Sequence, residues 1–155
     1  MRTPADTDPA HWHRFFGAYA NNSAWTLAEM PAAELDAQAL LDAAHAAAWH
    51  WQHVGNEVNR MRARMLLALA HARAGLGTTA LAYLDEVRAW FATRSDVAEM
   101  EVAFAHVIDA YAAFAAGDRD KHATSYAEAG RACAAIASAD DREVVERVFV
   151  HVPTP

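Results

Sequence analysis

Nine histidines stand in a chain of 155 residues, and imidazoles at helical spacing are the groups best placed here to do chemistry. The densest set is Asp42, His45, Trp49 and His53. On a helix turning 100° per residue these four fall within about 80° of one another. One face would then carry a carboxylate, two imidazoles and an indole. Residues three apart can converge on one ion, so Asp42-x-x-His45 has the spacing of half a carboxylate–histidine metal site. His50-x-x-His53 has that of a ligand pair. Neither completes a site, because zinc takes three or four protein ligands, no Glu-x-x-His occurs, and His106-x-x-Asp109 runs in the reverse order. A metal centre on Asp42, His45 and His53 would need a histidine from another helix, with His71 or His106 as the expected donors. The plainer reading is a wet or partner-facing helix surface on which aromatics and histidines are interspersed.

Other chemistry is thinner. His106 and Asp109, with Glu99 further back, lie off the apolar stripe of their helix, and are expected to hydrogen-bond to a neighbour such as the helix carrying His71. His11-x-His13 is expected to be exposed. Gly75-x-Gly77-x-x-Ala80 matches a dinucleotide fingerprint formally, but that signal needs a preceding strand, and here an alanine-rich helix precedes it. Lys121 is the one lysine, so no phosphate-loop motif exists, and neither a Gly-x-Ser-x-Gly elbow nor paired cysteines occur. The expectation is a protein that is not an enzyme and carries no cofactor.

Composition points to the elements that must position these groups. Alanine makes up roughly a quarter of the chain, far above ordinary usage, and it forms helix best because it has no side-chain entropy to lose. The β-leaning residues cluster at Val144-Val145 and Val148-Phe149-Val150, equally readable as a short terminal helix. A net charge of −7 argues against nucleic acid, which demands a basic footprint. Cys133 is the lone cysteine, expected as a small buried apolar group, which fits a reducing compartment. No signal-peptide pattern opens the chain and no apolar run reaches spanning length. A cytoplasmic protein without a membrane partner is expected.

Along the chain, residues 1–8 read as a flexible tail, 9–150 as one all-helical domain and 151–155 as a C-terminal tail. Asp8-Pro9 is an N-cap followed by proline at the first helical position. It opens an aromatic helix with Trp12, Phe15, Phe16 and Tyr19, expected to stop near Asn21-Asn22. Thr26-Leu27-Ala28-Glu29 has the form of a capping box before a long helix from Pro31 to about Val54. Asn56 caps the next helix to about Ala74, and another runs from Thr78 to Ala92. Ser95-Asp96 is expected to cap a helix whose Met100, Phe104, Val107, Tyr111 and Phe114 form one apolar stripe. Gly117-Asp118 turns into a helix to about Ala137, and Asp140-Asp141 opens a terminal one. Of the tryptophans, Trp12, Trp25 and Trp90 are expected at the ends of the array. Trp49 and Trp51 point to nearly opposite sides of one helix.

Two helix–turn–helix units recur. Leu67-Ala68 with Ala80-x-x-x-Leu84 matches Ala110-Tyr111 and Phe114 with Ala123-x-x-x-Ala127, and both keep the same separation between first-helix and second-helix positions. This pattern resembles tetratricopeptide repeats. Corresponding positions stand 43 residues apart here, against about 34 in a standard unit, so the helices are longer, and the usual tryptophan and terminal proline are missing. A generic antiparallel bundle is the alternative fold. The resemblance implies a scaffold that binds a protein or peptide, since stacked hairpins leave an extended surface and exposed ends. The expected partner-binding residues are His45, Trp49 and His53, with Arg60 and Arg64 as carboxylate contacts. The short array and surplus aromatics point to a homodimer. The alternatives are a helical-bundle metal-binding enzyme or sensor and a small-ligand pocket between alanine-lined helices.

Overall fold

A computed structural model describes residues 8–155 and contains seven helices among them, with no strand. The expected N-terminal tail lies outside the described residues except for Asp8. As anticipated, Asp8 opens α1 (Pro9–Ala28), its side chain accepting from the Ala10 amide at 2.9 Å. The helix does not stop at Asn21-Asn22. Ser23 and Thr26 turn their hydroxyls back onto the carbonyls of Tyr19 and Asn22, both at 3.0 Å, and Ala20, Ala24 and Ala28 bury one side of the helix through its whole second half. Thr26–Glu29 therefore ends α1 instead of capping the next helix. That helix, α2 (Ala37–Val54), begins at Asp36, whose carboxylate accepts from the Ala39 amide at 2.9 Å.

The other elements are α3 (Glu57–Arg73), α4 (Gly77–Phe91), α5 (Glu99–Ala116), α6 (Arg119–Ala135) and α7 (Ala139–Phe149). Asn56 and Asn59 form a reciprocal cap on α3, with bonds of 2.8 and 3.2 Å. Ser95-Asp96 does not cap α5. Asp96 is held by Arg94 at 2.7 Å, and α5 starts after Ala98 with no side-chain cap. Asp118 caps α6 and Ser138 caps α7. The valine-rich stretch is helical up to Phe149, with Val145 and Val148 fully buried.

Consecutive helices pack as hairpins. In addition α1 touches α3, α3 touches α5 and α5 touches α7, whereas α2, α4 and α6 have no comparable packing among themselves. The odd-numbered helices thus form one continuous layer and the even-numbered helices cover it. α5 is enclosed by α3, α4, α6 and α7, so burial is not confined to its stripe. Phe104, Val107 and Tyr111 are buried, but so are Ala103, Ala105, Ala110 and Ala112, while Phe114 at the end is 50% exposed. Leu66, Leu67, Leu69, Leu84, Val87 and Ile108 fill the centre, each worth about 1.5–3 kcal/mol on burial. Trp25 packs on Phe104 inside the array and does not close an end. Cys133 is buried as expected, and burial raises its thiol pKa, with Glu146 adding to the effect.

The two central hairpins share one turn. Gly75 and Gly117 both take left-handed φ, 78° and 75°, where a Cβ would be strained. The next amide then bonds the carbonyl five residues back, Leu76 to His71 at 2.8 Å and Asp118 to Ala113 at 3.0 Å, the helix-ending arrangement that glycine favours. These glycines, and not the alanine spacing, set the register. Counted from them, Ala80 and Val87 of α4 correspond to His122 and Ala129 of α6, all four buried, and Ala123 and Ala127 are exposed. Gly77 serves close approach: a Cβ there would lie 2.4 Å from the Ala116 nitrogen and 2.6 Å from the Ala112 oxygen.

The last residues lack helix but are packed. Val152 is 4% exposed. His151 Nε2 donates to the Glu29 carbonyl at 2.8 Å, and the Tyr111 hydroxyl donates to the His151 carbonyl. Arg73 donates to the Tyr111 hydroxyl oxygen at 2.5 Å and to the Met30 carbonyl. The C-terminal segment thereby clasps the α1–α2 connection onto α5.

Candidate functional site

Spacings of three and four residues put His45, Trp49 and Gln52 on one side of α2, and Arg60 and Arg64 on one side of α3. The α2–α3 hairpin brings the two sides together, and Tyr83 of α4 completes a groove of about 230 Å³. Four of the five expected binding residues, His45, Trp49, Arg60 and Arg64, therefore line a single cleft. The Trp49 indole is 57% exposed. Arg60 donates to the Gly55 carbonyl at 2.5 Å, tying it to the end of α2. Arg64 lies 3.2 Å from Glu86 and its guanidinium stands 5.5 Å over the Tyr83 ring. Both partners of that ion pair are substantially exposed, so it contributes little stability and exchanges readily. Arg62, between the two groove arginines in sequence, faces Glu101 of α5 instead.

The His45 ring lies 5.3 Å from that of His71. Burial, then His71 and Arg64, outweigh Asp42 and hold the His45 imidazole below its ordinary pKa. His71 is buried, donates Nδ1–H to the Leu67 carbonyl at 2.8 Å and packs on Tyr83.

His53 belongs elsewhere. Its ring stacks on His13 of α1 at 4.4 Å, and His13 Nδ1 lies 3.0 Å from His50 Nδ1. Trp49 borders this cluster, 4.7 Å from His53 and 5.1 Å from His13. Burial, then His13 and His53, lower the His50 pKa. Asp42 accepts from Gln38 at 2.9 Å. The three residues of the metal alternative, Asp42, His45 and His53, are thus distributed among different neighbours. Among the described residues no group of three or more His, Cys, Asp or Glu side chains is arranged to hold a metal ion. His11 is exposed as expected, but His13 is half-buried against α2. Its spacing from Gly17, Ala20 and Ala24, which puts it on the buried small-residue face of α1, was the sequence signal for this.

Asp109 and His106 do reach a neighbouring helix, but it is not the one carrying His71. The Ser125 hydroxyl of α6 donates to Asp109 Oδ2 at 2.7 Å, Arg88 of α4 approaches Oδ2 at 2.9 Å and Lys121 approaches Oδ1 at 3.3 Å. Burial alone would raise the Asp109 pKa; the Ser125 bond and the two cations overcome it and hold the carboxyl below its ordinary value. His106 lies 3.5 Å from Glu128 of α6. The network ties α5 to α4 and α6, and the lowered pKa makes the Asp109 carboxylate a weaker base toward the Ser125 hydroxyl.

A second cavity, of about 360 Å³, lies between α1, α3, α5 and α7; the small-ligand pocket considered from sequence was expected between alanine-lined helices, whereas aromatic, methionine and charged side chains line this one. Its lining comes from four helices far apart in the chain. No helix among the described residues is long and apolar enough to cross a membrane. No protein-family model, curated protein or solved structure matches the chain.

Proposed function

We propose that this chain is a non-enzymatic helical-repeat scaffold of tetratricopeptide-like kind that binds a partner protein through a peptide segment bearing a carboxylate. The observation carrying this reading is the convergence of Arg60, Arg64, Tyr83 and the exposed Trp49 in one groove. Arginine offers a planar fork matched to a carboxylate, and an exposed indole beside it supplies the aromatic anchor common at binding hot spots. Arg64 would exchange Glu86 for the incoming carboxylate. With a chain charge of −7, long-range repulsion disfavours a strongly acidic partner, so the segment carries one carboxylate beside apolar residues. The shared glycine turn of the two hairpins and the continuous layer of odd-numbered helices support the repeat description.

An array of peptides made with a free C-terminal carboxylate or an amide, followed by fluorescence polarisation of the binders, tests this. Trp49→Ala and Arg64→Ala should each weaken binding about tenfold or more, and amidation should do the same. Binding indifferent to all three changes rules the groove out. Failure of every carboxylate-bearing peptide to bind rules out the reading itself.

Self-association belongs to the same proposal. α1 is the first helix of the array and leaves Phe16 42% and Tyr19 59% exposed. Light scattering at twice the chain mass supports a homodimer, and a monomer at high concentration removes it.

A further inference from the structure

The cavity between α1, α3, α5 and α7 is distinct from the groove and has its own chemistry. Its volume of about 360 Å³ falls within the usual range for small-molecule pockets, about 300–1,000 Å³. Trp25 and Phe104 form an aromatic wall, their ring centroids 5.1 Å apart and inclined at 52°. Met65 and Met100 line the rest with flexible, polarisable side chains that adapt to a guest.

The charges decide what guest fits. Glu101 lines the cavity although it is only 7% exposed. Burying a carboxylate is costly unless it is compensated; Arg62 Nε donates to Glu101 at 2.7 Å, and Arg94 adds a more distant positive charge. Glu29 also lines the cavity; Arg147 approaches it only to 3.8 Å and is not part of the lining. Two carboxylates thus face the cavity beside two aromatic faces, Glu101 held closely by Arg62 and Glu29 only loosely by Arg147. Aromatic faces attract cations, and the loosely paired Glu29 carboxylate is open to one.

We propose that this cavity binds a small organic cation, an ammonium group on a compact apolar body. The charged head sits at Glu101 and Glu29, and the body lies against Trp25, Phe104 and the two methionines.

The test uses the full chain labelled with ¹³C at its methionine methyls. It is titrated separately with 2-phenylethylammonium, 2-phenylethanol and 3-phenylpropionate. The ammonium should shift the Met65 and Met100 methyls saturably while Met30 and Met61 stay in place. It should bind about tenfold or more tightly than the alcohol, the size of effect expected from one charge-assisted hydrogen bond. The propionate should not bind. Glu101→Gln and Glu29→Gln should each remove most of the ammonium's advantage. Glu29 is about a third exposed, so E29Q keeps the test readable even where E101Q does not fold. Equal affinity for the three compounds, shifts absent from Met65 and Met100, or an unchanged preference in E29Q would overturn the proposal. Trp49→Ala should leave this binding intact, which separates it from the groove.

Discussion

His13 of α1 and His50 of α2 meet Nδ1 to Nδ1 at 3.0 Å, a geometry that two neutral imidazoles satisfy as one donor and one acceptor, and that two imidazolium rings cannot. His53 adds a third ring. Because the folded state lowers the His50 pKa below 6.5, the unfolded chain takes up a proton first as pH falls. The stability from the neutral form is full above the unfolded value and lost as pH drops through the lowered folded one. The melting temperature should fall by a few degrees between pH 7.5 and 5, and His50→Gln should flatten that slope. Circular dichroism melts across the range check this; an identical slope in the variant contradicts it.

Among the glycines Gly77 makes the closest approach, with backbone atoms of Ala112 and Ala116 within 2.6 Å of where a Cβ would sit. Backbone cannot step aside as a flexible side chain can, so Gly77→Ala should destabilise by about 3 kcal/mol. Urea unfolding measures it. Gly130, whose Cβ would meet nothing nearer than 3.9 Å, is the control, and G130A should be neutral or slightly stabilising because glycine is costly inside a helix.

Asp109 joins α5 to α4 and α6 through Arg88, Lys121 and Ser125. Asp109→Asn removes the charge but keeps the shape. The two cations are more than a third exposed, so water recovers part of what they lose, and the expected cost is about 2 kcal/mol. Since the folded pKa is lowered, this contribution is present at neutral pH and disappears as pH falls through the carboxylate range. The variant's deficit should therefore shrink in acid, measurable by urea unfolding at pH 7 and pH 3.

Tyr111→Phe should loosen the C-terminal clasp without emptying the core, because the ring stays while its bonds to the His151 carbonyl and Arg73 go. The cost should be about 1 kcal/mol. Hydrogen exchange at the Val152 amide, which bonds Phe149, should speed up more than exchange within α5. Equal protection in both proteins would show that the clasp does not depend on Tyr111.

Local signals were legible at several helix ends, although Thr26–Glu29 and Ser95-Asp96 have the form of N-caps and do not act as such. Asp8, Asn56, Gly75 and Gly117 act within a few residues, and each marks a helix end as its chemistry predicts. The end of α1 was hidden because Asn21-Asn22 looks like a stop, while the helix is carried through by Ala24 and Ala28 packing on elements not yet formed at that point in the sequence. On α2, periodicity placed His45, Trp49 and His53 on one face, and Trp49 does meet the His53 ring at 4.7 Å while also lining the groove with His45. Only the position of α1 reveals that His53 turns to His13. The convergence of α2 with Arg60 and Arg64 requires the hairpin. The cavity at Glu101 requires four helices at once, and no spacing within a single helix encodes that.

The most direct test of the groove is a side-chain NMR titration of the ¹⁵N-labelled protein with a carboxylate-bearing peptide taken from the array. Indole and arginine Nε–H resonances are assigned with the Trp49→Ala and Arg64→Ala variants. The Trp49 indole and the Arg64 Nε–H should shift together and saturate at one affinity, while the Trp25 indole in the other cavity does not move. A peptide that binds yet leaves Trp49 and Arg64 unperturbed would contradict the assignment of this groove.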